Sequence, residues 1–177
     1  YYFDSVQLES QSNQYMHDIS FNSKFLSFSL FGDYHFKNLS NDLSYFSSLF
    51  LPNLYDAEVP NQLSGEEFEM DLEFNDLSLF TKLFYPEYNF SKNTNVHLAF
   101  SKEREVADFR IHSDYFKYKE IKCYDLNIST NNSKAFVDSV FNLITTAEKI
   151  ESNGFVINDF KLSNKVNQNR LSSTIQW

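Results

Sequence analysis

The sequence predicts a mainly β protein: an antiparallel repeat array, bent where its apolar parity flips, with two short amphipathic helices. Three observations lead there. Apolar and polar residues alternate over several runs, the period of a strand with one oily face. Two pairs of segments echo each other thirty-four residues apart, the mark of an array that grows by adding similar units. A unit of strand, polar turn and strand also recurs three times, which favours antiparallel neighbours.

Val6 and Leu8 open the first unit, Glu9 to Gln14 reads as its turn, and Tyr15, His17, Ile19 and Phe21 form the return strand. A longer strand follows. Leu26, Phe28, Leu30, Gly32, Tyr34 and Phe36 share one parity, against Ser27, Ser29, Asp33, His35 and Lys37. The period then lengthens: Leu39, Leu43, Phe46 and Phe50 fall on one helical stripe, which Ser40 or Asn41 can cap. Pro52 ends this helix, expected over 40–51, because proline disfavours helix in the residue before it.

Next, Phe68, Met70, Leu72 and Phe74 alternate with Glu69, Asp71 and Glu73. The twelve residues from Asn75 to Pro86 match those from Asn41 to Pro52 at eight positions, so a second helix is expected near 76–85. Leu77, Phe80 and Phe84, like Leu43, Phe46 and Phe50, are expected to dock on the oily face of the sheet. Residues 85–95 read as a loop carrying Pro86. Val96, Leu98 and Phe100, a charged turn at 101–105, and Ala107, Phe109 and Ile111 read as a hairpin.

The second echo joins Ile121, Cys123, Asp125, Leu126, Ile128 and Ser129 to Phe155, Ile157, Asp159, Phe160, Leu162 and Ser163. In both segments the apolar parity flips around the Asp. A slip of one residue turns every later side chain to the other face, so each site needs a bulge or a bend. After Ile128 a polar turn leads to a strand from Phe136, then a turn or short helix near 143–150. After Leu162 a turn over 163–170 leads to the strand Leu171 to Trp177.

Composition narrows the function. The formal net charge of −9 disfavours nucleic acid, which wants a basic stripe. The single cysteine, Cys123, cannot close an intrachain disulfide. No apolar run approaches the roughly 20 residues of a membrane-spanning helix. Gly32, Gly65 and Gly154 are isolated, so no phosphate-cradling loop is present. His17, His35, His97 and His112 sit singly in separate strands, and no Cys or His spacing fits zinc. Glu69, Asp71 and Glu73 read as the solvated side of an amphipathic strand, not as an acid–base pair. No catalytic residue, cofactor or metal is therefore expected.

What the sequence does offer is one-sided hydrophobic strand surface. Parity assigns Leu26, Phe28, Leu30, Tyr34, Phe36, Phe68, Met70, Leu72, Phe74, Val96, Leu98, Phe100, Phe109 and Ile111 to one inner face. Paired with a second sheet, that face would be the core of a β-sandwich interaction module of a cell-surface or scaffold protein. Left open in a trough, it would hold lipid acyl chains, each buried methylene contributing about 0.8 kcal/mol.

A resemblance favours the trough. Gly32-Asp33-Tyr34 at the end of an alternating strand is followed by a Leu- and Phe-rich helix, Leu51-Pro52, and a second helix ending in Phe84-Tyr85-Pro86. With the Lys119, Ile121, Cys123, Asp125, Leu126, Ile128 pattern, this resembles the Bacteroidota form of the TamB family, in the AsmA-like group of envelope-spanning proteins. The resemblance implies an elongated, curved β-taco groove in the periplasm that passes phospholipids between inner and outer membranes and supports outer-membrane biogenesis. It also implies an inner-membrane anchor and contact with a BamA-type barrel, both outside these 177 residues. The chain opens on Tyr1 and still alternates at Leu171, Ser173, Ile175 and Trp177, so residues 1–177 are read as one segment of a longer protein.

Overall fold

The computed structural model describes residues 5–34, 40, 41, 44, 67–101, 106–130, 140–167 and 170–177. Their fold is mainly β, in one open antiparallel sheet of eleven strands. The strands are β1 Gln7–Ser12, β2 His17–Asn22, β3 Leu26–Asp33, β4 Glu67–Phe74, β5 Tyr88–Phe90, β6 Thr94–Ser101, β7 Val106–Tyr118, β8 Ile121–Thr130, β9 Val140–Ser152, β10 Phe155–Asn167 and β11 Arg170–Gln176. They lie side by side in chain order, except that β5 joins β6 on the same edge of β7. Such a meander follows from alternating strands, most of them joined by short turns; the longest connections are those from β3 to β4 and from β4 to β5.

Several expectations need correction. Residues Glu9 to Ser12 are not a turn but most of β1, a fully exposed edge strand that needs no apolar side. The 85–95 loop contains β5, held to β7 by rings: Tyr88 lies 4.8 Å from Tyr118 and Phe90 5.2 Å from Phe116. Residues 143–150 are neither turn nor helix, because β9 runs unbroken from Val140 to Ser152. Likewise β10 continues through 163–167 before the chain turns. The strand from Leu26 stops at Asp33, leaving Tyr34 beyond its end.

One of the two helices is seen. Helix α1 spans Ser78–Phe84, started by Asp76, whose Oδ1 accepts from the Ser78 amide at 3.1 Å and from its hydroxyl at 2.6 Å. Those bonds, joined by the Lys92 charge, hold the Asp76 carboxyl below its ordinary value. The expected docking fails at the end of α1, where Phe84 is exposed beside Leu83. The helix expected over 40–51 lies outside the described residues, apart from Ser40, Asn41 and Ser44, which are helical.

Gly32 fixes how closely β3 and β4 approach. Its φ is +146°, and a Cβ there would sit 2.2 Å from the Glu67 carbonyl oxygen and 2.6 Å from Phe68 Cα. Next to it lies the buried cluster of Leu30, Tyr34, Phe68, Leu98 and Phe100, with Ile19, Phe28, Met70 and Phe109 packed against it. The Phe68 and Phe100 rings stack at 5.4 Å.

The parity flips expected at Asp125 and Asp159 belong to a single line across four strands. Pairing between β7 and β8 holds at Ser113–Leu126 and Tyr115–Tyr124 but lapses at Asp114 and Asp125 between them. Between β9 and β10 it holds at Asn158–Lys149 and Phe160–Ala147 but lapses at Glu148 and Asp159. One residue per strand goes unpaired at these two seams, and two per strand between β8 and β9, so the breaks are matched and insert nothing. Asp125 and Asp159 cross the line in the left-handed region, with φ of +49° and +54°. That differs by roughly 170° from ordinary strand φ, which turns the following side chains over and lets a flipped sequence parity keep the same face. A true bulge occurs where β5 meets β6: Phe90–Phe116 and Asn95–His112 leave 91–94 opposite 113–115.

Candidate functional site

Residues opposed in an antiparallel pair place their side chains on the same face. The pairings can therefore be followed from edge to edge, at right angles to the chain. One such row runs Leu8, Phe21, Phe28, Leu72, Val96, Ile111, Ile128, Thr145, Leu162, Ile175, nine of the ten being apolar. From Phe21 to Leu162 its members are half-buried, although no second sheet lies among the described residues.

The rows to either side present the opposite face and have opposite chemistry. One reads Gln7, Asn22, Ser27, Glu73, Asn95, His112, Asn127, Thr146, Lys161, Gln176, all ten polar. The other reads Glu9, Ser20, Ser29, Asp71, His97, Arg110, Ser129, Ile144, Ser163, Thr174, with Ile144 the one apolar member. Strand alternation thus becomes a sheet with one oily and one polar face.

The residues assigned to the inner face fall on common rows. Leu26 opposes Phe74, and Phe28, Leu72, Val96 and Ile111 follow in register. Leu30, Met70, Leu98 and Phe109 form the next row, and Phe68 opposes Phe100. Tyr34 is fully buried just past β3. Phe36 lies outside the described residues. Sequence reasoning missed the outer members of the same rows: Leu8, Ile19 and Phe21 on one side, and Ile128, Leu143, Leu162 and Ile175 on the other. The parity of Ile19, Phe21, Ile128 and Leu162 was the available signal; Leu143 was hidden by the misread of β9.

Where the oily face meets the break line, its polar atoms are internally satisfied. Buried Thr94 and Ser113 share a 2.7 Å hydroxyl contact, and Ser91 Oγ lies 3.1 Å from each. The Ser113 hydroxyl donates onward to the Tyr115 carbonyl at 2.9 Å. These bonds tie the β5–β6 bulge to β7 and leave the apolar row free of open hydroxyls at that corner. Beyond the line Cys123 is buried, and burial raises its thiol above the ordinary value.

The polar side carries charge clusters. Lys149 Nζ sits 4.5 Å from the Tyr124 ring centre and 2.8 Å from Glu151, whose carboxyl its hydrogen bond lowers. An open cleft beside the break line is lined by Tyr124, Glu148, Lys149, Asn158 and Asp159. On β4 and β6, His97 Nδ1 lies 2.8 Å from Asp71 and 3.9 Å from Glu69. Among the described residues no helix is long and apolar enough to cross a membrane. No protein-family model, curated protein or solved structure matches this chain.

Proposed function

We propose that this chain is a segment of a hydrophobic β-groove that holds phospholipid acyl chains and conducts them between the inner and outer membranes, without catalysis. The observation that carries the reading is the apolar row crossing ten strands between two polar ones. At about 4.8 Å per strand, nine steps make an oily track of roughly 43 Å, long enough to lie along an extended acyl chain. The resemblance to the TamB family supports the same reading. It implies a periplasmic segment, with membrane anchor and barrel contact supplied by other parts of the protein.

A second reading draws on the buried Leu30, Phe68, Leu98 and Phe100 cluster, which a sandwich-type interaction module would also have. Photo-crosslinking separates the two. A crosslinking residue at Phe28 or Leu72 should capture lipid in cells, and one at the neighbouring Glu73 should not. Equal labelling at both faces, or none at either, would exclude a lipid groove. In the full-length protein, Leu72→Arg or Met70→Asp should weaken the outer-membrane barrier at normal protein levels, because an unpaired charge on an apolar floor is costly. Glu73→Arg, on the solvated face, should not.

A further inference from the structure

Glu69 and Asp71 share one face of β4, and Asp71 directly opposes His97 on β6. Alternation and register, not proximity in sequence, bring the three together on the polar side. A donor atom from each falls within 4.8 Å of the other two. We propose that Glu69, Asp71 and His97 bind one divalent transition-metal ion of the zinc type. This goes beyond the groove reading and does not depend on it, since the site lies on the opposite face.

Geometry is the first support. Donors each about 2.1 Å from a shared ion stand roughly 3.0–4.2 Å apart. Of the separations from His97 Nδ1, 3.9 Å to Glu69 Oε1 falls within that range and 2.8 Å to Asp71 Oδ1 just short of it, so small side-chain shifts bring the donors to coordinating distance. Both strands are interior to the sheet, paired on both edges, so their backbones need no ordering on binding.

Charge is the second. Two carboxylates face one imidazole, and among the described residues the ion pairs of either carboxylate are with His97. Arg110, opposite His97 in the same row, is committed to Asp108. The spare negative charge is what a dication neutralises. The nitrogen donor sets the class of metal: all-oxygen sites suit calcium and magnesium, whereas imidazole suits zinc, copper and nickel. Both carboxylates are more than half exposed, which leaves an open approach and room for water in the remaining positions.

The test is calorimetric titration of the 177-residue chain with zinc chloride, after treatment with chelator. One ion per chain should bind, with His97→Ala and Asp71→Asn each weakening affinity at least about tenfold, since second-shell partners alone are worth about 10–100-fold. Zinc should also raise the melting temperature of the wild type but not of His97→Ala. All these residues are exposed or half-exposed, and circular dichroism of each variant checks that the sheet is intact. His112→Ala is the control and should bind as wild type. No binding by the wild type, equal binding by His97→Ala, or loss of binding in His112→Ala alone would each overturn the proposal.

Discussion

Asp125 and Asp159 stand thirty-four residues apart and flank the unpaired Glu148 in register, one on β8 and the other on β10. Both adopt left-handed backbone, with φ of +49° and +54°. Asp accepts that region better than most residues because its short side chain bonds locally, as where Asn127 Nδ2 donates to Asp125 Oδ1 at 3.2 Å.

Replacing either Asp with Gly should therefore leave stability within about 1 kcal/mol, since glycine has no Cβ to strain. Asp125→Val should lose roughly 2 kcal/mol, because a β-branched residue is a steric outlier at positive φ. Urea unfolding of the two variants gives the comparison. A valine variant as stable as the glycine one would mean that positive φ is not required at this position.

Gly32 and Gly154 also have positive φ but differ in what surrounds them. A Cβ on Gly32 would strike the β4 backbone at 2.2 Å, whereas one on Gly154 meets nothing within 4 Å. Gly32→Ala should cost about 3 kcal/mol or more, from overpacking that only backbone movement can relieve. Gly154→Ala should cost about 1 kcal/mol, the strain of its φ alone. Melting curves of both decide it, and equal losses would count against a close approach of β3 and β4.

Phe100 and Phe68 stack inside the buried cluster beside Gly32, each 2% exposed. Phe100→Ala should cost about 3–5 kcal/mol, transfer and cavity terms together. Leu8 begins the same oily face at an exposed edge, and Leu8→Ala should stay within about 0.5 kcal/mol. Denaturant titration of both variants measures the gradient from the centre of the sheet to its margin.

Cys123 should react slowly with iodoacetamide in the native protein and rapidly in urea. Burial favours the neutral thiol, while the thiolate is the nucleophile, so raising the pKa lowers the reactive fraction at any given pH. Native reaction as fast as that of the unfolded chain would show that the row from Phe116 through Cys123 to Ile150 is open to solvent.

Strands were legible in the sequence where one face is oily and the other polar, as at Glu67–Phe74. They were hidden where both sides are polar: Glu9–Ser12 and Ser163–Lys165 look like turns yet pair as strand, because strands at or near an edge need no apolar residue there. The misread of 143–150 has another cause. In β9, Phe141, Ile144, Ala147 and Glu148 fall at helix-like spacing although all four are in strand. The middle of the oily face, from Phe28 through Leu72 and Val96 to Ile111, was legible in the alternation. The continuity of the face was not, because rows depend on register, and neither was the meeting of Asp71 with His97.

In the language of lattices, the line through Asp114, Asp125, Glu148 and Asp159 is a fold without a fault. From β7 to β10 no row is gained or lost across it, and the register on one side continues that on the other. A single residue inserted into one of these strands at the line would create the missing fault. Every pairing on one side of that strand would then shift by a step, turning its oily residues to the polar side. Substitutions at the line leave the ladder in phase, so selection can vary the residues there more freely than it can vary their number.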